Sequence, residues 1–280
     1  MFTLRLMTPD DIPAGLELCR QAGWNQIEAD WRRLLALEPQ GIFVAEDAGR
    51  IAGTASTTSY DTRSAWIGMV LVHPDFRRQG LGSALMTRCI QSLQARRIQS
   101  IKLDATDQGR PVYLKLAFRD ERPICRYRGT VPPGLAAGQG VRQLRPADWP
   151  AVVALDEPAF GADRRRLLAL LAAEGPSVVA VEGQSLRGYA FLRSGHQASH
   201  IGPVVALDDR AAEALVRTLL ADLAGRPLLW DLLPDNLAAA RLAESLGLTE
   251  GRRLTRMVLG DTMNSGQVSR VYGAAGFELG

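Results

Sequence analysis

Lysine is nearly missing from this 280-residue chain: Lys102 and Lys115 are the only two, and arginine supplies the rest of its 33 basic residues. Thirty acidic residues leave a net charge of only +3, with no Lys/Arg block, so the footprint of a nucleic-acid-binding or membrane-surface protein is not there. The three cysteines, Cys19, Cys89 and Cys125, are odd in number and lack disulfide or metal spacing, which points to a reducing compartment and to thiols that fill core. Histidine is equally scarce. His73, His196 and His200 form no cluster with the cysteines, so no metal site is expected. No apolar run reaches membrane-spanning length, and Met1 to Asp11 has no signal-peptide pattern; the expected location is the cytoplasm.

What remains is an ordinary globular composition, 46% hydrophobic and 22% charged, with enough length for one large domain or two of common size. One stretch stands out. Trp66 to Val72 is an apolar, β-branched run of strand length that Pro74 ends, and from Gly80 onward Leu81, Leu85 and Ile90 fall on one helical face. Between them lies Arg77-Arg78-Gln79-Gly80-Leu81-Gly82-Ser83. A loop feeding a helix N-terminus presents free N–H groups and the positive end of the helix dipole. Gly80 and Gly82 let an anion reach that backbone without meeting a Cβ, and the two arginines add charge-assisted hydrogen bonds. The bland alternative is a solvated basic turn whose glycines serve helix–strand packing.

The stretch Val72-x-Pro74 followed by Arg77-Arg78-Gln79-Gly80-Leu81-Gly82 resembles the Arg/Gln-x-x-Gly-x-Gly/Ala loop of the GCN5-related N-acetyltransferases. The resemblance implies an α+β fold whose mixed sheet splays open beside acetyl-CoA. It also implies that the loop, Arg77 to Ser83, grips the pyrophosphate, while the backbone of Val70, Leu71 and Val72 pairs with the pantetheine arm like an added strand. The asparagine that contacts pantetheine in the family is absent; Thr106 or Asp107 stands in its place. Tyr113 sits in Tyr-x-x-x-Ala-Phe where the family carries Tyr-x-x-x-Gly-Phe, which makes its phenol the candidate acid for the departing thiolate. Asp104 lies where many members place a general base.

Each role has a plain competitor. Tyr113 can be a core tyrosine on an amphipathic helix, and Asp104 a strand-end cap. Trp24, Asn25 and Trp31, beside a helix break near the expected cleft, are candidates for the acceptor wall, although tryptophans at helical spacing are more often core. The expected reaction is direct acetyl transfer to an amine of a small molecule or peptide, with an acyl-CoA-binding sensor without turnover as the alternative.

Along the chain the pattern runs β-α-α-β-β-β-α-β-α-β, with a tight hairpin turn at Asp47-Ala48-Gly49-Arg50. Val131 to Gly140 has almost no core-forming residues and reads as a linker, giving domains at 1–130 and 141–280. Val141-Arg142-Gln143-Leu144-Arg145-Pro146-Ala147-Asp148 then repeats Leu4-Arg5-Leu6-Met7-Thr8-Pro9-Asp10-Asp11, and later segments follow in the same order, so the chain is a duplication. The copies differ at the loop. Leu207-Asp208-Asp209-Arg210 has no glycine and puts carboxylates at the helix start, and Ala243 stands where the tyrosine would be, although Asp231 and Asn236 survive. The second copy is therefore expected to be degenerate and to hold no CoA. The chain also ends in Tyr272-Gly273-Ala274-Ala275-Gly276-Phe277-Glu278-Leu279-Gly280, a segment type that resembles the end of tandem acetyltransferases with a degenerate second domain.

Overall fold

The structure is a computed structural model that describes residues 2–262 and 266–280. Its contacts divide the chain into two compact units. One holds residues up to Glu121 together with Arg256–Thr262 and Leu279; the other holds Arg122–Thr255, residues 266–278 and Gly280.

In the first unit the order is β1 (Thr3–Leu6), α1 (Ile12–Gln21), α2 (Glu28–Leu37), β2 (Ile42–Asp47), β3 (Arg50–Tyr60), β4 (Ser64–Val72), α3 (Leu81–Ala95), β5 (Ser100–Ala105) and α4 (Arg110–Lys115). The start of α1 follows from Thr8 and Asp11: the Asp11 carboxylate accepts Thr8 N at 2.8 Å and is held from behind by Arg5, at 2.7 and 2.9 Å. Ala48 and Gly49, at φ 49° and 78°, make the two-residue turn that joins β2 to β3. Strands β1 to β4 are antiparallel neighbours in sequence order, whereas β4 and β5 run parallel because α3 crosses between them. Leu81, Leu85, Cys89 and Leu93 of α3 bury one face against Phe43, Ala55, Ile67, Ile101 and Leu103, each large side chain contributing about 1.5–3 kcal/mol.

The second unit takes β6 (Arg119–Thr130) from Arg122 onward, then β7 (Val141–Gln143), α5 (Trp149–Phe160), α6 (Arg165–Glu174), β8 (Ser177–Glu182), β9 (Ser185–Arg193), β10 (Ser199–Ala206), α7 (Asp209–Leu220), β11 (Pro227–Leu232), α8 (Leu237–Ser245), β12 (Thr249–Gly260) as far as Thr255, and β13 (Val271–Gly273). The duplication is visible atom by atom. Arg142 grips Asp148 at 2.7 Å through both nitrogens, and Asp148 accepts Arg145 N at 2.7 Å, as Arg5, Asp11 and Thr8 do in the first unit. Leu215, Val216 and Leu219 of α7 cover β9 and β10 as α3 covers its own sheet.

The boundary differs from the expected one. Residues 131–140 lie inside the second unit and not between units, because their ends are hydrogen-bonded into it: Val131 N donates to Arg226 O at 3.0 Å, and Gly140 O accepts from Val181 N at 2.8 Å. Strand β6 explains why the division falls earlier. From Cys125 to Thr130 it pairs antiparallel with β11, so the last strand of the first repeat belongs to the second unit. In return, Arg256–Thr262 joins the first unit: β12 neighbours β5 in the sheet, and Asp261 N donates to Gln99 O at 2.8 Å. The two repeats have exchanged their final strands.

Candidate active site

The loop ahead of α3 has the geometry its composition demanded. Gly80 is the N-cap in the left-handed region, at φ 80°, where a side chain would be strained. Gly82 has an ordinary helical backbone, and a Cβ built on it would meet only Val72 Cγ2, at 3.6 Å. Packing within the protein therefore does not require glycine there; the open side faces a cleft. The first turn of α3, Leu81 to Ser83, lines that cleft, and the N–H groups of a helix's first turn have no intrahelical partners. Arg77 and Arg78 are exposed at its rim.

Strand β4 supplies the second wall. Its parallel ladder with β5 spans only Ser64↔Ser100, Ala65↔Ile101 and Trp66↔Lys102, after which the strands part. Opposite the split, the register with β3 slips between Thr54 and Ser56, and Met69 takes φ 50°, a costly value for methionine. Thr54 Oγ1 donates to Met69 O at 2.8 Å and holds the bulge in place. The result is an open backbone edge from Gly68 to Val72 beside the helix start.

A cleft of about 440 Å³ runs along these elements. It brings together Val70, Leu71, Val72, Arg77, Arg78, Gly80, Leu81, Gly82, Ser83, Thr106 and Tyr113, residues singled out in the sequence. Gln79 and Asp107 do not line it; the Gln79 side chain turns back to donate to Asp75 O at 3.0 Å. Phe76, Met86, Gln108, Gly109 and Val112 were missed. Met86 carries a legible signal, since it lies four residues after Gly82 on the same helical face.

Tyr113 lines the cleft as well. Its ring packs where a Gly109 Cβ would be, 2.9 Å from it, and lies tilted against Phe118 at 6.2 Å. Burial pushes the phenol up to about 12, with Cys89 adding to the effect, so Tyr113 keeps its proton at neutral pH.

Asp104 is placed differently from a general base. Both carboxylate oxygens accept from Arg256, at 2.9 and 3.0 Å, in a fully buried pair, and the guanidinium lies 4.8 Å above the Trp66 ring. The second unit repeats this arrangement without the glycine loop: Arg126 holds Asp231 at 2.7 Å through two nitrogens and lies 4.3 Å over Phe277. Arg126 and Arg256 are each the eighth residue of the 12-residue strands β6 and β12. A pair present in both units, one of them without the loop, is explained by strand placement rather than proton transfer. No local signal announces Arg256, which lies 152 residues from Asp104.

Of the expected acceptor wall, Trp31 is fully buried, and a Cβ on Gly15 would stand 2.9 Å from its ring. It is a core residue joining α1 to α2. Trp24 and Asn25 are half-buried in the turn between those helices. Among the described residues no group of three or more His, Cys, Asp or Glu could hold a metal ion, and no helix is long and apolar enough to cross a membrane.

Comparison with known proteins agrees with this geometry. The profile of the acetyltransferase (GNAT) family matches residues 11–118, and that of an acetyltransferase (GNAT) domain matches residues 152–273. The chain belongs to the GCN5-related N-acetyltransferase family, with two family domains in tandem, and is an acyltransferase. Among its relatives is YitH of Bacillus subtilis (strain 168), named as an uncharacterized N-acetyltransferase, 27% identical over 210 residues that cover 74% of this chain and 73% of that one. The acetyltransferase ECA0875 of Pectobacterium atrosepticum is 34% identical over 104 residues, 36% of this chain and 73% of its own. Two solved structures share the fold. A Pyrococcus horikoshii protein superposes with TM-score 0.86 at 24% identity over 100% of this chain and 96% of its own. A tandem GNAT protein from the clavulanic acid biosynthesis pathway does so with TM-score 0.65 at 14% identity, covering 92% and 98%.

Proposed function

We propose that the first unit transfers an acetyl group from acetyl-CoA directly to an amine of a small molecule or peptide. The observation that carries this reading is the convergence, in one cleft, of an open β4 edge, an uncapped glycine-rich helix start with two arginines, and a protonated tyrosine. An extended pantetheine arm suits the unpaired backbone from Val70 to Val72. A pyrophosphate suits the N–H groups of Leu81 to Ser83 with Arg77 and Arg78, and Thr106 borders the same channel. Tyr113 is the donor to the departing sulfur. With its phenol near 12 and an ordinary thiol near 8.5, it acts first as a hydrogen-bond donor that stabilises the thiolate as charge develops. Asp104 keeps β5 in position through Arg256, and the base role is not assigned to it. Trp24 and Asn25, half-buried in the turn between α1 and α2, are assigned to the acceptor side, although neither lines the cleft.

The test is binding and turnover together. Acetyl-CoA titrated calorimetrically into the protein should bind, and a panel of amines should consume the thioester. In Gly82→Val the Cβ meets only Val72 Cγ2, at 3.6 Å, and the branched side chain fills the anion's place, so affinity should fall about ten- to a hundredfold or more while the melting temperature stays within a few degrees. Unchanged affinity in folded Gly82→Val refutes the phosphate-loop assignment. Binding without thioester consumption by any amine would favour the sensor.

A further inference from the structure

The second unit contains the same strand split, and the chain itself occupies it. Strands β10 and β11 pair in parallel over Ser199↔Leu228, His200↔Leu229 and Ile201↔Trp230, three residue pairs as in β4 and β5, and then part. Past that point β13 lies against β10, antiparallel, with Val204 opposite Gly273 and Val205 opposite Val271. Ala274 N donates to Asp231 O of β11 at 2.8 Å, so the inserted strand touches both sides of the split. Asn236, at the start of α8, donates through Nδ2 to Val271 O at 3.0 Å.

The helix start beside the split is also capped from within, and the cavity of about 780 Å³ that it borders is lined by the carboxylates Asp208 and Asp209. Asp208 caps α7 by accepting Ala211 N at 2.8 Å, and Arg187 holds the same carboxylate at 2.6 Å. Tyr272 of β13 hydrogen-bonds Asp209 in the first turn of that helix. The segment is fitted closely: a Cβ on Gly273 would come 2.6 Å from Trp230 Nε1, and Gly276, at φ 148°, would bring one 2.9 Å from Arg193 Nη2. Beyond it, Phe277 packs under Arg126, and Glu278 lies 3.7 Å from Arg193.

We propose that the C-terminal strand Val271–Gly273 is the resident ligand of the second acetyltransferase fold. It takes the backbone hydrogen bonds of β10 whose counterparts on β4 are left open, and Asp208 supplies at α7 the negative charge that α3 leaves unprovided. The comparison rests on reading the open β4 edge as the donor site. An acyl donor at the second split would have to displace a paired strand, a helix cap and a buried side-chain network together. The chain therefore carries one donor site, and the strand split of its second unit is permanently filled.

Hydrogen exchange on the full chain, with and without saturating acetyl-CoA, tests this. Amides at 204–206 and 271–274 should exchange about a thousandfold or more slower than in free peptide, with no change when acetyl-CoA is added, and calorimetry should count one donor per chain. Gly273→Val should speed exchange at 204–206 at least about tenfold while leaving that one binding event intact. Free-peptide exchange rates in β13, faster exchange there on adding acetyl-CoA, or two donors per chain would each overturn the proposal; the wild-type measurement decides it even where the variant does not fold. Amides 70–83 provide the separate control: if they fail to slow with acetyl-CoA while β13 stays protected, the donor-site reading falls and the resident strand stands.

Discussion

At the scale of single residues, the proposed reaction gives Tyr113 and Asp104 different parts. Tyr113 lines the cleft with its proton retained, so Tyr113→Phe should lower turnover about a hundredfold and leave acetyl-CoA affinity unchanged, measured with the chemical step rate-limiting. Full turnover in that variant would return Tyr113 to the core. Asp104 is opposite in character. Removing its charge leaves Arg256 buried without its carboxylate, a loss of about 3–5 kcal/mol in comparable pairs. Asp104→Asn should therefore show a lower denaturant midpoint, yet per folded molecule keep turnover within about tenfold, less than the loss typical of an acid–base group. A loss of several orders of magnitude with the midpoint unchanged would restore the general base.

At the scale of elements, the exchange of final strands governs how the chain can be cut. A fragment ending at Thr130 lacks Arg256–Thr262, so β5 loses its outer neighbour and Asp104 its guanidinium, while residues 125–130 lose their β11 partner. Two unpaired edges and a buried lone carboxylate cost more than a 130-residue unit with marginal stability can absorb. The fragment should be insoluble or lack near-ultraviolet circular dichroism. A fragment that melts cooperatively and binds acetyl-CoA as the full chain does would show the exchange to be dispensable.

At the scale of the whole molecule, acid stability should be set in the second unit. His200 donates to Asp231 at 3.0 Å but is wholly buried, and desolvation together with the nearby Arg193 and Arg126 lowers it to about 4, outweighing the attraction of Asp231. The unfolded histidine takes its proton near 6.5. Between those values the unfolded chain binds more protons, so stability should fall as pH drops from about 6.5 to 4, by up to about 3 kcal/mol from this residue. Asp231, held well below the carboxylate range by Arg126 against the cost of burial, adds a further loss as pH falls through about 4 and below. Urea midpoints across that window should decline in the wild type and flatten in a folded His200→Asn variant. A flat wild-type profile would show that His200 is not held neutral.

Much of the fold was legible because its signals are local. The periodicity of Trp66 to Val72, which lies within β4, and the turn at Ala48-Gly49 both act within a few residues. The duplication was legible because it is sequence against sequence. The missing glycines at Asp208-Asp209 likewise predicted a second unit without the anion loop. What depended on partners distant in the chain was not. Trp31 has the same spacing whether it lines a pocket or fills a core, and only Gly15 and Met7 packed against that position decide for the core. The Val131 to Gly140 stretch has linker composition, yet backbone hydrogen bonds to Arg226 and Val181 build it into a unit. By itself the sequence determined that one copy carries a glycine- and arginine-rich loop ahead of a helix and the other two aspartates in its place, since both depend on residue type at fixed short spacing. The tertiary structure decided which strand completes which sheet, that Asp104 is bound to Arg256, and that β13 fills the second split. Those outcomes turn on hydrogen bonds and ion pairs between residues tens to more than a hundred positions apart, which no local pattern encodes.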